Sequence, residues 1–324
     1  MQTLIQTSKA YRLVKTERQE NRLSHTYLLL YDDARNLRFA LKEFAKIFFF
    51  DENLSQKEWE RIEKLIDEES YSDCLIYPEK GKKLKVEDAE KILEESVLTP
   101  VEGDKKLFIV GDFAEANVQT QNKLLKLLEE PPKGVYFLLG ATSSYAVLNT
   151  VLSRAKKLEI NGFEVHEVTR ALNRIYGAKY EENALSLCAA TSDGNLGKAQ
   201  NMLEGGHYKS LLDSAFSLSI CRPSQLPILI KQIGETKNQK EFLSVLRLVF
   251  RDALILKTQA KNQTKSLLLQ AEKSRLEEVA AFYSIHALLF AQEAISTAEK
   301  QIFTNATFSQ CVEICIAKIR NENK

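Results

Sequence analysis

The chain has 324 residues, too many for one small core and enough for two or three domains. Its 45 basic and 44 acidic side chains nearly cancel, so any contact with nucleic acid or a membrane surface must come from a local patch rather than a global field. No uninterrupted apolar run reaches membrane-spanning length and no signal-like segment opens the sequence, which points to a cytoplasmic protein without membrane contact. Five cysteines (Cys74, Cys188, Cys221, Cys311, Cys315) form no C-x-x-C pair and read as free core thiols.

In chain order, Leu4 to Arg22 reads as one polar, charged helix, and Tyr27-Leu28-Leu29-Leu30-Tyr31 as the first strand. The turn Asp32-Asp33-Ala34-Arg35-Asn36 leads into an amphipathic helix carrying Leu37, Leu41, Phe44, Ala45 and Phe48. Strand, turn and helix form the setting of a phosphate-binding loop, but the loop chemistry is missing. Such a loop needs glycines, so that successive backbone N–H groups wrap the phosphates, and then a lysine and a hydroxyl. Here the turn has no glycine, Leu37-Arg38 stands where Lys-Ser/Thr would be, and Asp32 and Asp33 would repel a triphosphate. No ATP site, no other cofactor and no metal site is expected.

A helix is expected over Gln56 to Glu68, a short strand over Cys74 to Tyr77, and a solvated basic turn over Lys80 to Lys85. Val86 to Leu98 reads as a helix with Ala89, Ile92, Leu93 and Val97 on its apolar face. The stretch from Lys105 to Arg154 is the organising unit. Leu107 to Val110 and Val135 to Leu139 are continuous apolar runs separated by a helix-period segment, the pattern of a βαβ unit in a buried parallel sheet. Leu124, Leu125 and Leu128 share a face of that helix, and Pro131-Pro132 ends it. Leu158-Glu159-Ile160 completes the sheet.

Beyond Asn161-Gly162 only helices are expected. Val165 to Tyr176, Glu181 to Ala190 and a third helix opened by the turn at Asp193-Gly194 make a unit of lid size. Gly205-Gly206 is the linker candidate. Three apolar stripes follow: Phe242, Leu246, Val249, Ala253 and Leu256; Leu276, Val279, Ala280, Tyr283, Ala287 and Phe290; and Phe308, Val312, Cys315 and Ile319. Cys311 and Cys315 lie four apart, but without a His or carboxylate at metal-site spacing they read as packed thiols.

Thr99-Pro100-Val101-Glu102-Gly103, the segment Asn122-Lys123-Leu124-Leu125-Lys126-Leu127-Leu128-Glu129-Glu130-Pro131-Pro132, and Leu152-Ser153-Arg154 resemble the bacterial DNA polymerase III clamp-loader subunits, which are ATPase-like chains of the AAA+ family. Ser24 to Leu28 and Gly194 to Ala199 are similar to the segment before that family's phosphate loop and to its sensor-2 turn. The likeness covers the first 200 residues; the last 120 match in length and helical character only. It implies a RecA-like AAA+ parallel-sheet domain over 1–161, a helical lid over 162–205, and a helical collar over 206–324 that joins a ring of five subunits.

The departures from the family matter as much as the matches. Gly111 and Asp112 fall on the acidic Walker B pair, so its first carboxylate is missing, and neither the four-cysteine zinc insertion nor the cysteine after Ser-Arg (here Ala155) is present. This fits the delta-prime kind of subunit, which includes members that neither bind nor hydrolyse ATP, rather than the gamma/tau motors. The resemblance then gives Arg154, with Ser153, the role of an arginine finger reaching into a neighbour's ATP site; the plain alternative is a salt bridge within its own domain. Lys198 matches the sensor-2 position, with a surface helix lysine as the alternative, and Thr142 falls in the sensor-1 region. The implied partners are the gamma/tau and delta subunits, the sliding clamp, and primed-template DNA reached through the complex. A divergent gamma-type ATPase, or a regulatory protein that keeps only the fold, are the other readings.

Overall fold

The computed structural model describes residues 1–235, 238–258, 267–303 and 306–323. The chain divides into two compact units, Met1–Gly162 and Phe163–Lys324. The first is built on five parallel strands: β1 (Thr26–Tyr31), β2 (Cys74–Tyr77), β3 (Lys106–Val110), β4 (Val135–Ala141) and β5 (Lys156–Ile160). Their order is β2-β3-β4-β1-β5. The continuous apolar runs become strands covered on both faces, and all five residues of β3 are buried. Register brings Phe108 opposite Phe137, with the rings stacked at 5.3 Å.

Helix α1 (Gln2–Thr7) and α2 (Lys9–Gln19) precede β1; α3 (Leu37–Phe49) and α4 (Gln56–Asp67) follow it. Then come α5 (Val86–Ser96), α6 (Val118–Glu129) and the single turn α7 (Asn149–Leu152). The helices pack with the face their periodicity defines: in α3, which lies on β3 and β4, Leu37, Ala40, Leu41, Phe44, Ala45 and Phe48 are all buried. The approach is tightest where α3 crosses β4. A Cβ placed on Gly140 would lie 2.6 Å from a methyl of Leu41, so any larger residue there would force the Leu41 side chain to move.

Three details differ from the sequence reading. The first helix is broken at Ser8, whose extended backbone (ψ 149°) lets its hydroxyl accept from the Tyr11 N–H, so the serine caps α2 instead of continuing α1. On α6 the buried leucines are Leu124, Leu127 and Leu128, with Leu125 only half-buried. Val97 lies past the end of α5 and is 74% exposed, so it leaves the apolar face.

In the second unit all regular elements among the described residues are helical. These are α8 (Val165–Tyr176), α9 (Glu182–Ala190) and α10 (Leu196–Gly205), then α11 (Tyr208–Ile220), α12 (Leu226–Gly234), α13 (Gln239–Thr258), α14 (Lys273–Phe282), α15 (Ile285–Phe303) and α16 (Phe308–Asn321). Gly206 ends α10 in the left-handed region, φ +68°. The second stripe belongs to two helices rather than one. The chain turns by 105° between α14 and α15, and the Ser284 hydroxyl caps the new helix by accepting from the Ala287 N–H at 3.1 Å. Tyr283, buried at that corner, donates its hydroxyl to the Ser219 carbonyl at 2.7 Å. All five cysteines are free and buried. Among the described residues no single helix is long and apolar enough to cross a membrane, and no cluster of three or more His, Cys, Asp or Glu is placed to hold a metal ion.

Candidate functional site

The carboxyl ends of parallel strands are where open α/β sheets bind ligands. Here that edge carries the β1–α3 turn, the β3 terminus and the β4 terminus. In the turn, Asp33 is 2% exposed and Asn36 4%. Asp33 accepts from the Asn36 backbone N–H through Oδ1 at 3.1 Å, and from the Asn36 side-chain amide through Oδ2 at 2.7 Å. The Tyr31 hydroxyl donates to the same Oδ2 at 3.1 Å. A phosphate at the start of α3 would need backbone N–H groups of this kind. The turn's own carboxylate already occupies one. Asp32 is exposed, and Leu37, where a phosphate-binding lysine would reach out, is 3% exposed and packed in the core.

Arg38 is committed elsewhere. Its Nε donates to Glu69 Oε1 at 2.7 Å, its Nη2 to Glu69 Oε2, and its Nη1 to the Pro78 carbonyl at 2.8 Å. This two-pronged pairing holds the Glu69 carboxyl below the usual range, burial acting against it. Gly111, at the end of β3, donates its N–H to the Tyr77 carbonyl at 2.7 Å. A Cβ on Gly111 would stand 3.8 Å from Arg38 Nη1. A guanidinium therefore sits beside the place where a Walker B acid would organise a metal ion.

The adjacent Asp112 and the sensor-1 candidate Thr142 are brought together. Burial raises the Asp112 carboxyl, while hydrogen bonds from the Thr142 backbone and hydroxyl and from the Ala114 backbone pull it back. Its Oδ1 is buried without a partner. Lys198 lies in the other unit, exposed in the first turn of α10, with its backbone N–H donated to the Asn195 side chain at 2.9 Å.

Arg154 follows α7. Its side chain is 30% exposed. Nη1 donates to the Thr150 carbonyl at 2.9 Å and Nη2 to Glu129 Oε2 at 2.9 Å, while Nε is buried without an acceptor. Ser153 is exposed and its hydroxyl donates to the Thr150 carbonyl at 3.1 Å. Glu129 is 55% exposed, so the pair has the character of a surface ion pair, worth about 0.2–1 kcal/mol. A salt bridge within the unit and a solvent-facing guanidinium thus coexist.

Two residues that sequence reasoning passed over shape this corner. Glu129 is one. Gln121 is the other: 1% exposed, it donates to the Ala116 and Ala146 carbonyls at 3.0 and 2.9 Å and accepts from the Leu148 N–H at 2.9 Å. It thereby staples α6 to the loop that leads into α7. The signal was present, since Gln121 interrupts the apolar stripe that continues through Leu124 and Leu128.

An interior β1 flanked by β4 and β5, helices on both faces and a nucleotide-site position at the strand ends define a RecA-like, AAA+-type parallel-sheet unit. Residues 6–164, nearly all of this unit, match the family described as "DNA polymerase III, delta subunit". In this the unit is similar to clamp-loader-type subunits of DNA polymerase III. Over 133 residues the chain is 29% identical to the tau subunit of DNA polymerase III from Escherichia coli, covering 40% of this chain and 21% of that protein. Over 151 residues it is 28% identical to the delta' subunit from Bacillus subtilis, covering 46% of each. The chain thus spans less than half the length of these curated relatives. Among solved structures, a gamma subunit-related protein of Thermotoga maritima aligns over 96% of this chain and 99% of its own, at 16% identity and a TM-score of 0.42.

Proposed function

We propose that this chain is a delta-prime-type clamp-loader subunit: a scaffold that does not itself turn over ATP and that presents Arg154 to the nucleotide site of a neighbouring motor subunit. The observation that carries this reading is the Asp33 carboxylate bonded to the Asn36 N–H, in the place a nucleotide phosphate would take. Two negative groups do not share one helix start. The buried Leu37 and the engaged Arg38 support it, since neither offers a free cation or hydroxyl to a phosphate–magnesium pair.

Arg154 supplies what the chain gives away. A planar, permanently charged fork suits the charge spread over the γ-phosphoryl oxygens in the transition state, and such a finger is worth roughly 10³–10⁵ in rate. In this reading the partners are gamma/tau and delta subunits in a five-membered ring, acting in the cytoplasm to open the sliding clamp and place it on primed DNA. The three-part division at 161/162 and 205/206, with a lid and a collar, belongs to the same proposal. Any DNA contact would run through backbone N–H groups at helix starts, which needs no large net charge. Lys198 and Thr142 have no nucleotide to sense in it.

Calorimetric titration of the isolated chain with Mg-ATP is expected to show no binding up to millimolar ligand. Micromolar affinity would make it a motor of the gamma type. In the complex reconstituted with gamma/tau and delta subunits, Arg154→Ala is expected to leave assembly intact and to lower DNA-stimulated ATP turnover by roughly 10³. Unchanged turnover would remove the finger role, and failure of the chain to assemble would favour a stand-alone regulatory protein.

A further inference from the structure

We infer that Glu129 is a positioning residue for Arg154, fixing the plane of the guanidinium before a neighbour's phosphate arrives; the inference rests on the finger reading above. The two side chains are 25 residues apart in sequence and meet at 2.9 Å. Glu129 is the last residue of α6, and α6 is anchored twice: Leu124, Leu127 and Leu128 bury its inner face, and Gln121 ties it to Ala146 and Leu148. Thr150, which holds the other end of the fork through its carbonyl, sits on α7 directly after that tied loop. Both holders are therefore fixed relative to each other by the same buried amide.

Two contacts on two different nitrogens set the orientation of a planar group, which one contact cannot do. The fork is not used up by them. Arg154 keeps 30% of its side chain exposed, although its Nε is buried. The holder is also a weak one. A carboxylate that is 55% exposed is screened by water, so it orients the guanidinium without withdrawing its charge from an incoming polyanion. A buried acid in the same place would sequester the arginine. Thr150 alone would leave it to swing. Pre-orientation of this kind acts on rate, because a reacting charge meets a partner already in place.

The test uses the reconstituted complex and four chains: Glu129→Ala, Glu129→Gln, Arg154→Ala and the double variant Arg154→Ala with Glu129→Ala. Glu129→Ala is expected to lower kcat for DNA-stimulated ATP hydrolysis by roughly tenfold, with KM for ATP within about twofold. Glu129→Gln, whose amide oxygen still accepts from Nη2, is expected to recover most of that loss. Adding Glu129→Ala to Arg154→Ala is expected to change nothing further, because a residue that acts through Arg154 has nothing left to act on. Higher turnover in Glu129→Ala would show that the carboxylate restrains the arginine, and would overturn the assignment. So would wild-type turnover, or a loss that adds fully to that of Arg154→Ala. If Arg154→Ala itself turns over normally, the finger reading fails and takes this inference with it, a result separable from the others on one gel filtration and one rate.

Discussion

At the β1–α3 turn the polar groups are turned inward: Asp33 bonds Asn36 and Tyr31, and Arg38 bonds Glu69 and Pro78. At the α6–α7 corner of the same unit, Arg154 is held by Thr150, by Glu129 and, at 3.5 Å, by Ser153, and keeps 30% of its side chain in solvent. The chemistry available is similar in both places, a guanidinium, a carboxylate and a backbone carbonyl. What differs is exposure. A turn that has closed on itself contributes stability, and a corner whose guanidinium still meets solvent can take a further partner. The two arginines therefore should respond in opposite ways to loss: Arg38 to matter for stability and Arg154 for the assembled complex.

The largest effect on stability is expected from Arg38→Ala. It strands Glu69, whose side chain is 23% exposed against 21% for Arg38. A loss of about 2 kcal/mol is expected, below the ~3–5 kcal/mol of a fully buried pair. In a thermal melt this corresponds to roughly 4–8 °C. The pH dependence sharpens the comparison. Arg38 lowers the Glu69 carboxyl in the folded state, so the pair's contribution is full above the unfolded value of about 4.3 and is lost as pH falls through the lower folded value. Melts of Arg38→Ala and the parent chain should thus differ at pH 7 and converge as the pH falls below the folded value. A difference that persists in acid would mean the arginine acts through packing instead.

A smaller effect is expected from Gly111→Asp, which restores the acid missing from the β3 terminus. The added Cβ meets only ordinary contacts, 3.7 Å to the Tyr77 carbonyl and 3.8 Å to Arg38 Nη1. Stability should move by less than about 1 kcal/mol, because the new carboxylate finds a guanidinium beside it. Mg-ATP binding, followed by calorimetry, should not return. Its return would show that the missing acid, and not the closed turn, empties the site.

The smallest change in stability is expected from Arg154→Ala, below about 1 kcal/mol by chemical denaturation, since it removes an exposed ion pair and solvent-exposed hydrogen bonds to Thr150 and Ser153. A loss of 3 kcal/mol or more would place Arg154 among the residues that hold the fold together and blur the contrast with Arg38.

Much of the fold is legible because strands buried on both faces leave continuous apolar runs, and Tyr27–Tyr31, Leu107–Val110 and Val135–Leu139 lie inside β1, β3 and β4. Helix faces are legible for the same reason, which is how Phe242, Leu246, Val249 and Ala253 fall on the buried side of α13. Breaks without glycine or proline are not. Ser8 and Ser284 each cut a helical pattern by capping, a local competition that periodicity averages away. The candidate site divides along similar lines. The absence of a phosphate loop can be read directly from Asp32 to Arg38. What replaced it cannot, because Arg38 and Glu69 are 31 residues apart and no repeat or spacing joins them. Glu129 stood in plain view within a matched motif, but its partner lay across a turn and a strand.

The self-bonded turn also has a bearing on how such a subunit can change over time. Asp33 and Asn36 complete each other, Leu37 is buried beneath them, and Arg38 is locked to Glu69 and Pro78. Reopening the turn to a triphosphate would require at least three of these to be replaced together, and each replacement made first would expose a stranded charge or an empty space. On the reading proposed above, the geometry works as a ratchet: silence at this site would be easily reached one residue at a time and hard to reverse by the same steps.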